Sequence, residues 1–181
     1  MTASATAAPA KRRSLLFLAR FLLYLLVSYA VVASHPVNDH VIVPFTAAVA
    51  RVSVSLLNAL GEPVTVSGTE IRSASFSVNI ENGCNGVETA LLLAAAVLAF
   101  PAGWRQRVIG FVLGFAAIQV VNLARVVSLV WIGRHRPALF DSSHTVLWQS
   151  AVVLFGVVFF LFWASQQARG RRPDAEEKVR R

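Results

Sequence analysis

The single cysteine of this 181-residue chain, Cys84, lies where a polar loop gives way to a long apolar run. A cysteine that has no second cysteine to pair with is a candidate nucleophile, although an inert apolar residue is the common alternative. Arg125 lies inside a later apolar segment, and His144 opens the last one. A thiolate that attacks a carbonyl, an imidazole that moves the proton and a guanidinium that neutralises the oxyanion together perform acyl transfer.

Glu88 is the acidic residue nearest to this set in an apolar segment. It follows Cys84 by four residues, the spacing that puts two side chains on one face of a helix. A charged arginine at bilayer depth needs an acidic partner, backbone acceptors or a wet cavity. We therefore expect Glu88 to pair with Arg125, and an ion pair that only locks two helices together is the alternative interpretation.

The composition predicts that these residues lie in a membrane protein. Hydrophobic residues make up 56% of the chain and charged residues only 14%. A spanning helix needs about 20 mostly apolar residues. The sequence therefore predicts an all-α membrane protein, a bundle of about four transmembrane helices. The predicted spans are residues 14–34, 84–103, 107–132 and 144–164.

The segments outside the spans predict three further regions. Residues 1–13 are predicted to be a disordered basic N-terminal tail, and residues 169–181 a disordered charged cytoplasmic tail. The outer-face segment 35–83 is predicted to contain an interfacial helix at Val41–Leu60, where polar residues interrupt an apolar run. Alternating apolar residues from Val64 to Ile80 predict a small β-hairpin after that helix.

The basic residues predict the orientation of the chain. They cluster at the two ends and in the short connection after Phe100, and positive charge near helix ends marks the cytoplasmic side. Both termini are then cytoplasmic, and Cys84, Arg125 and His144 converge at the outer leaflet. The net charge of +8 reflects this topology and contact with membrane lipid, and we expect no nucleic-acid partner, since no basic aromatic face is present.

Three motifs in this order resemble the exosortase/archaeosortase family of membrane cysteine transpeptidases. They are Cys84-Asn85-Gly86, the string Asn122-Leu123-Ala124-Arg125-Val126, and His144 at the head of the last span. The resemblance implies that Cys84 is the nucleophile, Arg125 stabilises the oxyanion or thiolate, and His144 is the acid/base. It implies a supporting role for Asn122, one turn before the arginine.

The resemblance also implies what the protein acts on. Residues 14–168 would form the exosortase-like membrane domain, most like the compact exosortase H type, which is associated with tails bearing an Ile-Pro-Thr-Leu-like motif. The implied substrates are exported proteins with a C-terminal motif, a transmembrane helix and a basic tail, cleaved at the periplasmic face of a bacterial inner membrane. A cleaved protein would pass to water or to an acceptor.

Other functions remain open from the residues alone. A non-enzymatic assembly or scaffold protein of an export or envelope pathway would use Glu88 and Arg125 only to lock helices. A transporter is less consistent, because the ionisable residues gather at one leaflet. A zinc site would need paired ligands, and one cysteine with scattered histidines does not provide them. Thiol acyl transfer needs no cofactor, so we expect none.

Overall fold

The computed structural model describes the backbone of residues 7–180 and the side chains of residues 11–169. It is mostly helical, with one small sheet. Its main elements are α1 (Ala7–Val32), α2 (His35–Ala59), β1 (Thr65–Ser67), β2 (Glu70–Arg72), β3 (Ser77–Asn79), α3 (Val87–Ala99), α4 (Trp104–His135) and α5 (Gln149–Arg180). A wide π-type turn interrupts α2 at Asn38–Ile42, and another, Ser143–Trp148, leads into α5.

Four helices are long and apolar enough to cross a membrane, as predicted, but they are not the predicted four. They are Lys11–Val32, His35–Ala59, Trp104–His135 and Pro137–Arg169. The predicted second span, 84–103, instead contains the 13-residue α3, about 20 Å long at 1.5 Å per residue. It begins after Gly86 and ends before Pro101, which cannot continue a helix.

The region predicted as an interfacial helix, Val41–Leu60, forms most of α2. Its polar residues do not prevent a long apolar helix, because their hydroxyl groups are satisfied inside it. Thr46 donates to the carbonyl of Ile42 and Ser53 to that of Val49, four residues back in each case. The sequence pattern therefore underestimated how long an apolar helix this segment makes.

The helical backbone also extends beyond the predicted tail boundaries. α1 starts at Ala7 and α5 continues to Arg180, so residues 7–13 and 169–180 are helical where disordered tails were predicted. Alanine favours helix at the start of α1. The predictions for residues 1–6 and 181 lie outside the described residues.

α3 is the centre of the bundle and contacts α1, α4 and α5. Small residues allow this close packing. Gly114 of α4 leaves room for Leu93 of α3 and Phe159 of α5, and Gly156 of α5 faces Thr89 of α3. The short apolar α3 is thereby held on three sides, which fixes the position of the loop that precedes it.

The predicted hairpin is a three-stranded antiparallel sheet in the order β1-β2-β3. A turn at residues 68–69 joins β1 to β2, which pairs Val66 with Ile71, and β3 adds Val78 opposite Ile71. The inner face of the sheet packs against α2 and the C-terminal half of α4. The fully buried core of this packing comprises Ala50, Val54, Leu57, Val64, Ile71, Ile80, Val126 and Val130. β3 leads directly to Cys84.

Glu62 ties the loop after α2 to the end of α4. Its carboxylate accepts hydrogen bonds from Arg134 and, at 2.9 Å, from His135 Nε2. The hydrogen bond from His135 and the nearby cations hold the pKa of Glu62 below its ordinary value. The charge pattern predicts that this end of α4 lies on the outer side, where unpaired arginines are less common. Arg134 is paired with Glu62 there, which is consistent with its position.

We expect Glu62→Gln to lower the thermal unfolding temperature, because the neutral amide loses the ion pairs. A carboxyl with a lowered pKa stabilises the fold above its ordinary pKa, and this contribution disappears as the pH falls through its folded pKa. The difference between wild type and Glu62→Gln should therefore vanish in acid. Glu70→Gln is the matched control, since the ion pair of Glu70 is with the exposed Arg72 of the same strand. Equal effects of both variants would contradict the assignment.

Candidate active site

The loop between β3 and α3 holds Cys84 in a fixed backbone conformation. The Cys84 N–H donates to the carbonyl of Glu81 at 3.0 Å. The next residue, Asn85, is buried and donates to the Thr46 hydroxyl at 2.9 Å, and its own oxygen accepts the Val87 N–H at 3.0 Å. Asn85 thus anchors the loop to α2 and holds the N–H of Val87, the first residue of α3.

His144 lies in hydrogen-bond contact with the thiol. Its Nε2 is 2.9 Å from Cys84 Sγ, although 60 positions separate the two residues in sequence. The imidazole stacks in parallel on the Phe140 ring, with centroids 5.7 Å apart and an angle of 3° between the planes. The π-type turn at Ser143–Trp148 carries the histidine. The ring is therefore oriented towards the sulfur by packing.

Arg125 reaches the same sulfur from α4. Its side chain is 2% exposed, and its Nη2 donates to Cys84 Sγ at 3.4 Å and to Gln149 Oε1 at 3.1 Å. Its Nη1 donates to the Gly83 carbonyl at 3.2 Å. The guanidinium therefore contacts the thiol, the backbone beside it and the first residue of α5.

The predicted ion pair between Glu88 and Arg125 is absent. The ion pairs within residues 11–169 join Glu70 to Arg72 and Glu62 to Arg134 and His135. The Nη atoms of Arg125 donate to neutral acceptors instead, which direct them to the sulfur, whereas its buried Nε has no partner among the described residues. The ion-pair prediction was wrong because the helix starts only at Val87, so Cys84 and Glu88 do not share one helical face.

Asn122 lies one turn before Arg125, as the sequence requires, and is fully buried. Neither its amide oxygen nor its amide nitrogen has a hydrogen-bond partner among the described residues, and Gln119 Nε2 also lacks one. Both side chains lie against Gly86, the residue that caps α3. Asn122 is thus in contact with the Cys84 loop, which is consistent with a supporting position.

We expect Gly86→Ala to destabilise the protein and to disturb the Cys84 loop. Gly86 has a φ of +78°, and a Cβ there would lie 2.9 Å from Gln119 Nε2 and 3.2 Å from Asn122 Cγ. The left-handed backbone alone costs about 1–2 kcal/mol for alanine, and the clash adds to it. Unfolding in detergent and the rate of Cys84 alkylation measure the two effects.

Gly68→Ala is the matched control for this variant. Gly68 also has a positive φ, +61°, but nothing lies within 4 Å of the added Cβ. It should show the backbone cost only, with an unchanged alkylation rate. If both variants gave the same unfolding and alkylation results, the contact of Gly86 with the two amides would have no consequence.

Opposing influences set the pKa of the Cys84 thiol, which lies in the loop outside the spanning helices. Burial raises this pKa most, while the charge of Arg125 lowers it, and the carboxylates of Glu81 and Glu88 raise it further. Of these groups, Arg125 alone favours the thiolate. Its contact with the sulfur is therefore the chemically significant one.

Sequence reasoning missed one residue of the site, Gln149, and named Asn85 in a motif without giving it a role. Gln149 accepts from Arg125 and Asn85 anchors the loop. A signal for Gln149 existed, since it is an amide within an otherwise apolar run, five residues after His144. Within residues 11–169, no three histidine, cysteine or acidic side chains come together as metal ligands would.

The arrangement brings together a thiol, a basic ring nitrogen and a buried cation, which are the groups that acyl transfer requires. Comparison with the curated proteins and with the solved structures found no match. A family model described as transmembrane exosortase (Exosortase_EpsH) matches residues 1–164, which includes the candidate site and all four candidate spans up to that position. The chain, a multi-pass membrane protein, therefore belongs to the transmembrane exosortase family.

Proposed function

We propose that the protein is a cysteine protease/transpeptidase that removes the C-terminal sorting tail of exported proteins. One observation carries the proposal: His144 Nε2 and Arg125 Nη2 lie 2.9 Å and 3.4 Å from the same sulfur, that of the only cysteine. A thiol used only for packing has no need of a base and a buried cation together. Membership of the transmembrane exosortase family supports the same function.

The proposed reaction proceeds through an acyl-enzyme. His144 takes the thiol proton, and the Cys84 sulfur attacks the scissile carbonyl, whose electrons move onto the oxygen. Arg125 stabilises this oxyanion. The C–N bond then breaks, and the imidazolium gives its proton to the leaving amine of the tail. A thioester remains on Cys84, and water or an amine releases the exported protein from it.

The proposed substrates carry a short motif, a transmembrane helix and basic residues at their C terminus. For the exosortase H type this motif would be similar to Ile-Pro-Thr-Leu. The helix of such a tail lies in the same bilayer as the enzyme, so both contact membrane lipid. A scissile bond just outside that helix would lie at the depth of Cys84.

We propose that the site faces the periplasm of a bacterial inner membrane and that both termini are cytoplasmic. The basic residues of the N-terminal end, of the connection after α3 and of the C-terminal end support this orientation. The pairing of Arg134 with Glu62 supports it as well, because it leaves fewer unpaired cations on the opposite side.

Thiol alkylation tests the proposal without any mutation. The purified enzyme should cleave a tail-bearing exported protein at one bond, and hydroxylamine should release that protein as a C-terminal hydroxamate. Because Cys84 is the only cysteine, a maleimide modifies it alone and should abolish cleavage. Cleavage that survives complete alkylation, or that yields no hydroxamate, would refute the thioester mechanism.

A further inference from the structure

We propose that Glu88 binds the ammonium group of a primary-amine acceptor in a polar cavity beside the Cys84 loop. The inference rests on the proposed function, since the acceptor would receive the acyl group from Cys84. The cavity has a volume of about 330 Å³. Its polar lining includes Tyr29, His35, Asn38, Asn82 and Glu88.

The cavity lies directly against the backbone of the proposed nucleophile. Gly83 and Asn85, the two neighbours of Cys84, both line it. The Glu88 carboxylate approaches this loop closely, since both its oxygens are 3.7 Å from the position of a Cβ on Gly83. An amine that contacts the Glu88 carboxylate would therefore lie beside the loop that carries the Cys84 thioester.

A second, smaller cavity shares part of its wall with the larger one and reaches the site. Glu88, Tyr29 and Gly83 also line a neighbouring cavity of about 40 Å³, whose wall includes Arg125 and Gln149. A volume of this size admits one or two small groups, such as the nitrogen end of an amine. The carboxylate thus stands between the larger cavity and the guanidinium that contacts Cys84.

Glu88 is a charge without a partner among the described residues. It forms no ion pair with Arg125 or with another cation there, and it accepts no hydrogen bond in that part of the chain. It is also the one acidic residue that lines the larger cavity. A half-buried carboxylate that faces a cavity with other polar side chains attracts a cation.

The same carboxylate opposes the formation of the nucleophile. Glu88 raises the pKa of the Cys84 thiol, which disfavours the thiolate. A bound ammonium would neutralise this effect and would favour a free thiolate at the moment when the acyl group leaves. The position of Glu88 is therefore explained better by a cationic ligand than by support of Arg125.

The transfer step balances with the groups present. The bound ammonium gives one proton to the Glu88 carboxylate, and the neutral amine attacks the thioester carbonyl. A C–N bond forms, the C–S bond breaks, and the second proton passes from the nitrogen to neutral His144. The products are the new amide, a Cys84 thiolate paired with the His144 imidazolium, and protonated Glu88, which returns its proton to water.

The inference is tested by how the acyl-enzyme partitions between water, which gives an acid, and glycinamide, which gives an amide. Hydrolysis and aminolysis share one acyl-enzyme, so the ratio of amide to acid does not depend on how fast that intermediate forms. In wild type this ratio should rise with the glycinamide concentration. In Glu88→Gln the glycinamide concentration that gives equal amounts of amide and acid should rise by about tenfold or more, because a charge-assisted contact is lost.

Glu81→Gln is the matched control. Glu81 is exposed and also raises the pKa of Cys84, but it does not line the cavity. It should leave that concentration unchanged. A concentration that stays the same in Glu88→Gln, or that rises equally in both variants, would overturn the amine site.

A second measurement separates this inference from the proposed function. Glycinamide should raise the rate of Cys84 alkylation by a maleimide in a saturable manner in wild type, and should not do so in Glu88→Gln. This readout needs no substrate tail. If the protein cleaved no tail but showed this effect, the proposed function would fail and the amine site would stand. If it formed the hydroxamate but glycinamide had no saturable effect, the amine site would fail alone.

Discussion

Cys84→Ala should abolish removal of the sorting tail, with a loss of about 10⁴-fold or more in rate, because no other thiol can form the acyl-enzyme. His144→Ala should lose about 10²–10⁴-fold, the usual contribution of a positioned acid/base. Because the two groups act on one proton, the double variant should be little worse than Cys84→Ala. The measurement is the amount of tail released from a bound substrate in a single turnover.

His135→Ala is the control for the histidine variant. His135 lies at the end of α4 and contacts Glu62, not the thiol. It should keep processing close to wild type. Both active-site variants should unfold at a temperature near that of wild type, since Cys84 and His144 are only partly buried. Unimpaired processing by Cys84→Ala would favour the scaffold interpretation, in which the protein assembles partners and performs no chemistry.

The sequence was sufficient to predict the convergence of the three site residues. A spanning helix reverses direction at each connection, so spacing and charge assign each apolar segment to a side of the membrane. On these predicted spans, Cys84, the outer part of the span that contains Arg125, and His144 were expected at the same side. The structure adds the distances: Cys84 Sγ lies 2.9 Å from His144 Nε2 and 3.4 Å from Arg125 Nη2.

The partner of Arg125 could not be predicted in the same way. Hydropathy gives the ends of a helix only within a few residues, and the second span was predicted to include Cys84. Since α3 begins at Val87, the i to i+4 relation between Cys84 and Glu88 does not apply. Gln149 took the place expected for Glu88, because the π-type turn before α5 directs its amide towards the guanidinium.

The properties of α3 and α2 also escaped the sequence. α3 is only 13 residues long, but seven of these residues are buried, and it packs against three other helices. α2 is long and apolar but interrupted by hydroxyl groups that bond to its own backbone. Both properties depend on packing and hydrogen bonding, which composition alone does not report.

Arg125→Lys should reduce processing by about 10²–10³-fold while the protein remains folded. The loss of an oxyanion donor costs this much in acyl-transfer enzymes. Lysine keeps the charge, but its single ammonium cannot reproduce the planar guanidinium that contacts Cys84, Gly83 and Gln149 at once. Arg125→Met should be affected at least as strongly, because it removes the charge as well.

The pH dependence of Cys84 alkylation separates a chemical role of Arg125 from a structural one. Arg125 lowers the pKa of the thiol, so its removal in Arg125→Met should move the alkylation profile to higher pH, whereas Arg125→Lys should move it less. Gln149→Leu is the matched comparison: it removes a neutral acceptor of the same guanidinium but leaves the charge in place, so its profile should stay near that of wild type. If Arg125→Met remained folded with an unshifted profile and full processing, the guanidinium would only pack the helices, and the electrostatic argument for the site would fail.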